Sequence, residues 1–157
     1  MKRIAVSALA LVALAPGALW LRGLLASDAT RIRGMLERMA RGFNASSARR
    51  ALGGLADDFR EETSGMTKPE VHETLAYLFL AQRDPETKEF LFKVELGEPE
   101  IAISEAASPR TADLRVEAAF LRLARRSWES AWRVEIQAEL EKRKEGWRVV
   151  RSRHRSF

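Results

Sequence analysis

The chain contains no cysteine, which excludes disulfides, thiol catalysis, cysteine-ligated zinc, iron–sulfur clusters and a lipid-modified N-terminal cysteine. It has 2 histidines, His72 and His154, far apart and without carboxylates at ligand spacing, so no metal site and no cofactor are expected. Tyrosine occurs once, at Tyr77. Internal repeats and low-complexity tracts are lacking, and no linker is long enough to set off a second folded domain. What is present is a chain of 157 residues with 46% apolar side chains. That length and composition fit one globular core rather than a disordered chain.

Charge is missing from Ile4 to Leu21, a stretch preceded by Lys2-Arg3, broken by Pro16-Gly17 and closed by Arg22. A basic start, a short apolar core and a helix breaker are the layout of a secretory signal peptide. The same stretch is 18 residues long, which also reaches the minimum for a membrane span. Cleavage after Ala18 puts Pro16 where a small residue is preferred, and cleavage after Ala26 puts Leu24 there. A cleaved signal over 1–26 and an uncleaved anchor through residues 4–21 therefore both stand. In either case residues 27–157 are expected outside the cytoplasm, periplasmic or secreted, or held at the inner membrane by the N-terminus. Lys2, Arg3 and Arg22 belong to this segment, so the 27 basic against 22 acidic side chains leave the remainder close to neutral. Arg148, Arg151, Arg153, His154 and Arg155 crowd the C-terminus, and they read as a solvated edge strand kept from aggregating by charge. Nucleic acid is not expected as a partner.

Beyond Ser27-Asp28, an N-capping pair, Ile32, Met35, Leu36, Met39 and Phe43 recur at helical spacing opposite Arg31, Arg33, Glu37, Arg38 and Arg41. Asn44 is positioned to cap a second, shorter helix with Ala48, Ala51, Leu52, Leu55 and Phe59 on its apolar stripe. Gly53-Gly54 weakens that helix unless a neighbour packs closely there. Thr67-Lys-Pro-Glu70 is a capping box with proline in the first turn, opening a third helix through Val71, Leu75, Leu78 and Phe79. After Asp84-Pro85 the period drops to two. Phe90, Phe92, Val94 and Leu96 alternate with Leu91, Lys93 and Glu95, and Leu114, Val116 and Ala118 with Arg115 and Glu117, with a bulge expected near Ala118-Ala119-Phe120. Trp132, Val134, Ile136, Ala138 and Leu140 form the clearest strand, and a turn over Lys142–Gly146 leads to Trp147-Arg-Val-Val150. Helices first and strands afterwards predict an α+β fold, three N-terminal helices covering the apolar face of an antiparallel sheet.

This order resembles the nuclear transport factor 2-like superfamily, which includes SnoaL-like and ketosteroid-isomerase-like proteins. Leu55-Ala-Asp-Asp-Phe59 is similar to the family's exit from its second helix into a first short strand. Ser64-Gly65-Met66-Thr67-Lys68 before Pro69-Glu70 resembles the loop into its third helix, and Glu145-Gly-Trp-Arg-Val-Val150 resembles its final hairpin. The resemblance spans about residues 28–157. It implies a cone-shaped, strongly curved sheet, a cystatin-like α+β roll around the first helix, with a pocket at the open end. It also implies a tendency to form homodimers through the outer sheet face.

Enzymes of that superfamily place a carboxylate, often with a tyrosine or histidine, inside the cone. Here the inward strand positions, among them Phe90, Phe92, Trp132 and Trp147, are all apolar, and general acid–base chemistry needs a positioned titratable group. Asp58, with Asp57 beside it, and His72 are the weak catalytic candidates. Met35, Met39, Phe59, Phe90, Phe92, Trp132 and Trp147 are the expected contacts for an apolar ligand. The expected function is an exported, non-catalytic domain that binds an apolar small molecule or a protein partner. The alternatives are a membrane-anchored assembly subunit, because scaffold subunits of type IV secretion systems resemble this layout, and a SnoaL-like isomerase, dehydratase or cyclase.

Overall fold

The computed structural model describes residues 27–157. The expected targeting segment, 1–26, lies outside the described residues. Among those described, no helix is long and apolar enough to cross a membrane.

Helix α1 (Asp28–Asn44) starts where Ser27 Oγ accepts the Thr30 N–H at 3.2 Å, with Asp28 in its first turn and Arg41 in its last. Both charges complement the helix dipole. Its apolar stripe buries Ile32, Met35 and Leu36. Helix α2 (Ala48–Ala51) is a single turn pressed against α1. The contact needs glycine: a Cβ on Gly42 would stand 2.4 Å from the Ala51 backbone nitrogen. Helix α3 (Lys68–Ala81) opens on the expected capping box, with Glu70 Oε2 accepting the Thr67 N–H at 2.7 Å.

The strands are β1 (Leu55–Glu61), β2 (Phe92–Leu96), β3 (Glu100–Ser104), β4 (Thr111–Ala124), β5 (Ser127–Arg143) and β6 (Gly146–Ser156). They form a 6-stranded sheet in the order β1-β6-β5-β4-β2, with β3 also paired to β4. β2 and β3 thus make one edge strand broken at Gly97-Pro99. The α+β class holds, with two corrections. Leu55–Glu61 is not the end of a helix but a strand, and it runs parallel to β6, so the sheet is mixed rather than wholly antiparallel. β6 is also no edge strand, since β1 and β5 flank it from Val149 to Ser152.

Two register shifts interrupt the long ladders. Phe120 pairs with Trp132 but Leu121 with Ser130, so the extra residue is Ala131 of β5, on the strand opposite the bulge expected in β4. Leu140 pairs with Val149 but Glu139 with Arg151, leaving Val150 extra. Bulges of this kind bend and twist the strands that carry them. Along β4, buried Ala112, Leu114, Val116 and Ala118 alternate with exposed Asp113, Arg115 and Glu117. That inner face meets Ile32 and Leu36 of α1, Leu140 of β5, and Trp147 and Val149 of β6. Ile32 and Leu140 lose all contact with solvent. Burial of such side chains contributes roughly 1.5–3 kcal/mol each.

Candidate ligand-binding site

Aromatic rings from α1, α3, β2, β4 and β5 pack together around Phe90. Phe43, from the last turn of α1, meets Phe79, Phe90 and Phe120 edge-on at centroid distances of 5.4, 5.6 and 5.6 Å. Trp132 stacks on Phe120 at 4.8 Å and approaches Phe92 at 5.4 Å. Such pairs add about 0.5–1.5 kcal/mol beyond burial. Of the expected ligand contacts, Met35, Phe59, Phe90 and Trp147 are buried in the core. Phe92 and Met39 are half-buried, while Trp132 stands at the rim, 41% exposed. Trp128 lies on β5 rather than in a turn, opposite Leu123, with Lys93 Nζ 5.1 Å from its ring. The turn itself is Arg125-Arg126, both in left-handed backbone.

The titratable candidates stay apart. Arg143 donates to both Asp58 oxygens, at 2.7 and 2.8 Å, and these hydrogen bonds hold the Asp58 carboxyl below its ordinary range. Lys68 does the same for Asp57 through a 2.9 Å bond. His72 and Tyr77 are exposed on α3. None of these residues meets a second catalytic group in a shared pocket.

Sequence reasoning missed one cluster at the end of β1. Glu61 Oε2 accepts from the Ser64 hydroxyl and N–H, both at 2.6 Å, and Oε1 lies 3.1 Å from His154 Nδ1. Desolvation pushes the Glu61 carboxyl up, but the Ser64 and Thr63 hydrogen bonds outweigh it and hold it at about 2. The signal for this cluster was the Glu61-Glu-Thr-Ser64 run, which places hydroxyls and N–H groups beside a carboxylate, as turns do.

A cleft of about 730 Å³ lies beside α1, lined by Met35, Met39, Gly53 and Gly54. Gly54 is required there: a Cβ would fall 2.4 Å from Met39 Sδ. This is the close packing that the glycine pair predicts. A second cleft, about 540 Å³, lies on the outer sheet face among Asp113, Arg115, Glu139 and Arg151.

No family model and no curated protein matches the sequence. Solved structures do. An NTF2-like protein with a cystatin-like fold from Novosphingobium aromaticivorans superposes with a TM-score of 0.64 at 16% identity, over 87% of this chain and 86% of that one. The fold is that of the nuclear transport factor 2-like proteins. A protein of unknown function from Mycobacterium tuberculosis is similar at TM-score 0.65 and 16% identity, over 88% of this chain and 77% of the other. A protein provisionally assigned as a scytalone dehydratase, also from Novosphingobium aromaticivorans, reaches 0.59 at 11% identity, over 80% and 81% of the two chains. At these identities the likeness carries the architecture, and function rests on the site.

Proposed function

We propose that this nuclear transport factor 2-like domain is an exported, non-catalytic binding module for a small molecule with an apolar body. One observation carries the reading. Phe43, Phe79, Phe90 and Phe120 pack ring against ring, while an open cleft of about 730 Å³ is lined by Met35 and Met39. Methionine adapts its three rotatable bonds to irregular apolar partners. Export is supported by Lys2-Arg3 ahead of the uncharged Ile4–Leu21 stretch. Pairing of two copies through the outer sheet face belongs to the same proposal, supported by the cleft among Asp113, Arg115, Glu139 and Arg151.

The test uses the purified domain with a neutral apolar probe, N-phenyl-1-naphthylamine, followed by fluorescence. Saturable binding that is displaced by medium-chain alcohols is expected. A panel of ketosteroid, epoxide and polyketide-type substrates is assayed in parallel. Turnover that vanishes in both Asp58→Asn and His72→Gln, with unchanged thermal midpoints, would overturn the non-catalytic reading.

A further inference from the structure

The cleft beside α1 is bordered by Arg38, Arg41, Arg50 and Arg148. What distinguishes these four is that they gather around one cleft. Elsewhere Arg143 is clamped by Asp58 and Glu141, Arg115 by Glu135, Arg151 by Glu139, Arg110 by Asp28 and Arg33 by Glu98. Around the cleft, among the described residues, Arg38 and Arg50 pair with no carboxylate, and Arg148 donates only to the Trp147 carbonyl. Arg41 reaches Glu37 at 3.8 Å, with both side chains about two-thirds exposed, a pair worth only about 0–1 kcal/mol. Like charges gathered at one cleft repel, and among the described residues only Arg41 of the four has a carboxylate partner, although acids and bases are nearly balanced over the domain.

The floor beneath them is apolar and kept open. Gly53 and Gly54 contribute no side chains, and Met39 lies over Gly54. Guanidinium groups pair with phosphate through two parallel N–H···O bonds, and four of them suit a group that carries close to two negative charges and several acceptor oxygens.

We propose that the ligand of this cleft is an amphiphilic phosphate: a phosphate headgroup held by Arg38, Arg41, Arg50 and Arg148, and an apolar tail laid over Met39 and the exposed Gly53 backbone. The proposal rests on the binding-module reading and adds the chemistry of the headgroup. A soluble phosphate ester and the headgroup of an acidic phospholipid present the same group, and they differ only in what carries the tail.

Titration calorimetry on the folded domain separates these cases with four probes: decyl phosphate below its micelle concentration, decanol, inorganic phosphate, and vesicles of neutral phosphatidylcholine with and without phosphatidic acid. Decyl phosphate is expected to bind at least tenfold more tightly than decanol or inorganic phosphate, with affinity falling as salt rises. Arg38→Ala combined with Arg148→Ala should weaken it at least tenfold while circular dichroism and melting stay unchanged. Gly53→Leu should block it sterically without loss of fold, because a Cβ at Gly53 meets nothing nearer than 3.4 Å. Arginine-dependent binding to phosphatidic acid vesicles alone would support the headgroup chemistry with a membrane as its source. Equal affinity for decanol and decyl phosphate, or no effect of the arginine substitutions, would overturn the phosphate while leaving the apolar binding module intact. Failure of every probe, N-phenyl-1-naphthylamine included, would overturn both.

Discussion

Asn44 ends α1, and its side chain leaves the helix to grip the middle of β2. Its Nδ2 donates to the Val94 carbonyl at 3.0 Å, and its Oδ1 accepts the Val94 N–H at 2.7 Å. Val94 is buried and faces Phe120 across the ladder to β4. Its two free backbone groups therefore point away from the sheet, on an edge with no neighbouring strand. The amide of Asn44 replaces that strand for one residue.

Asn44→Ala removes both bonds and leaves a donor and an acceptor partly shielded from water. At about 0.5–1.5 kcal/mol per bond, the expected loss is about 1–3 kcal/mol. Asn44→Asp keeps the acceptor for the N–H but sets a carboxylate against the Val94 carbonyl, so it should lose at least as much. Urea melts of the three proteins measure the difference as a lower midpoint at unchanged slope. Hydrogen exchange supplies the local readout: the Val94 amide should exchange faster in Asn44→Ala, while the Leu114 amide in mid-β4 changes only with global stability. A loss below about 0.5 kcal/mol, or unchanged Val94 exchange, would refute the clamp and leave Asn44 a surface residue.

Two further outcomes follow from burial and charge. Trp147 is 4% exposed and Trp132 41% exposed, so Trp147→Ala should cost about 3–5 kcal/mol and Trp132→Ala less than half of that in denaturant melts. Asp28 receives Lys142 at 2.9 Å and Arg110 at 3.0 Å; desolvation raises its carboxyl, but the hydrogen bonds from Lys142 and Arg110 outweigh it and hold it at about 2, as Glu61 is held. Carboxyls depressed on folding stabilise above their unfolded values near 4 and lose that stability as pH falls toward 2. Thermal midpoints should therefore drop between about pH 5 and 2, and Asp28→Asn should flatten that drop at the cost of a lower midpoint at pH 7.

Periodicity revealed α1, α3 and β5 because each keeps one period over many residues against one continuous apolar surface. It failed at Leu55–Glu61. Leu55 and Phe59 are both buried there, four residues apart, which matches one helical turn. A strand also puts residues four apart on one face, but the register irregularity between Leu55 and Arg60 goes with a buried Ala56 and an exposed Asp57, so no strict alternation marks the strand. Parallel pairing with β6 was equally hidden, because it joins segments from opposite ends of the described chain and depends on no local spacing. Asn44 illustrates a related limit. An asparagine after a helix suits an N-cap by composition, yet Ser47 holds the cap position of α2 and Asn44 serves a strand 50 residues away.

The candidate site was hidden for a different reason. The apolar residues expected to contact a ligand were read from the inward parity of the strands, and parity separates faces without measuring the space between them. Whether a face lines a hollow or a packed core depends on what arrives from elsewhere in the chain, here Phe43 from α1 and Phe79 from α3. Those two rings pack against Phe90, and Phe43 against Phe120 as well. The consequence falls further along α1. Its inward stripe, Ile32, Met35 and Leu36, is spent on the core, and Met39, one turn further on, is only half-buried. Gly54 then lets Met39 settle against backbone rather than against another side chain, which leaves a shallow apolar floor in reach of solvent. The arginines that periodicity assigns to the solvated face of α1, Arg38 and Arg41, become the wall of that cleft once α2 and β6 bring Arg50 and Arg148 beside them. Four residues that look like ordinary surface charge in the sequence thus acquire a shared electrostatic field only through the fold.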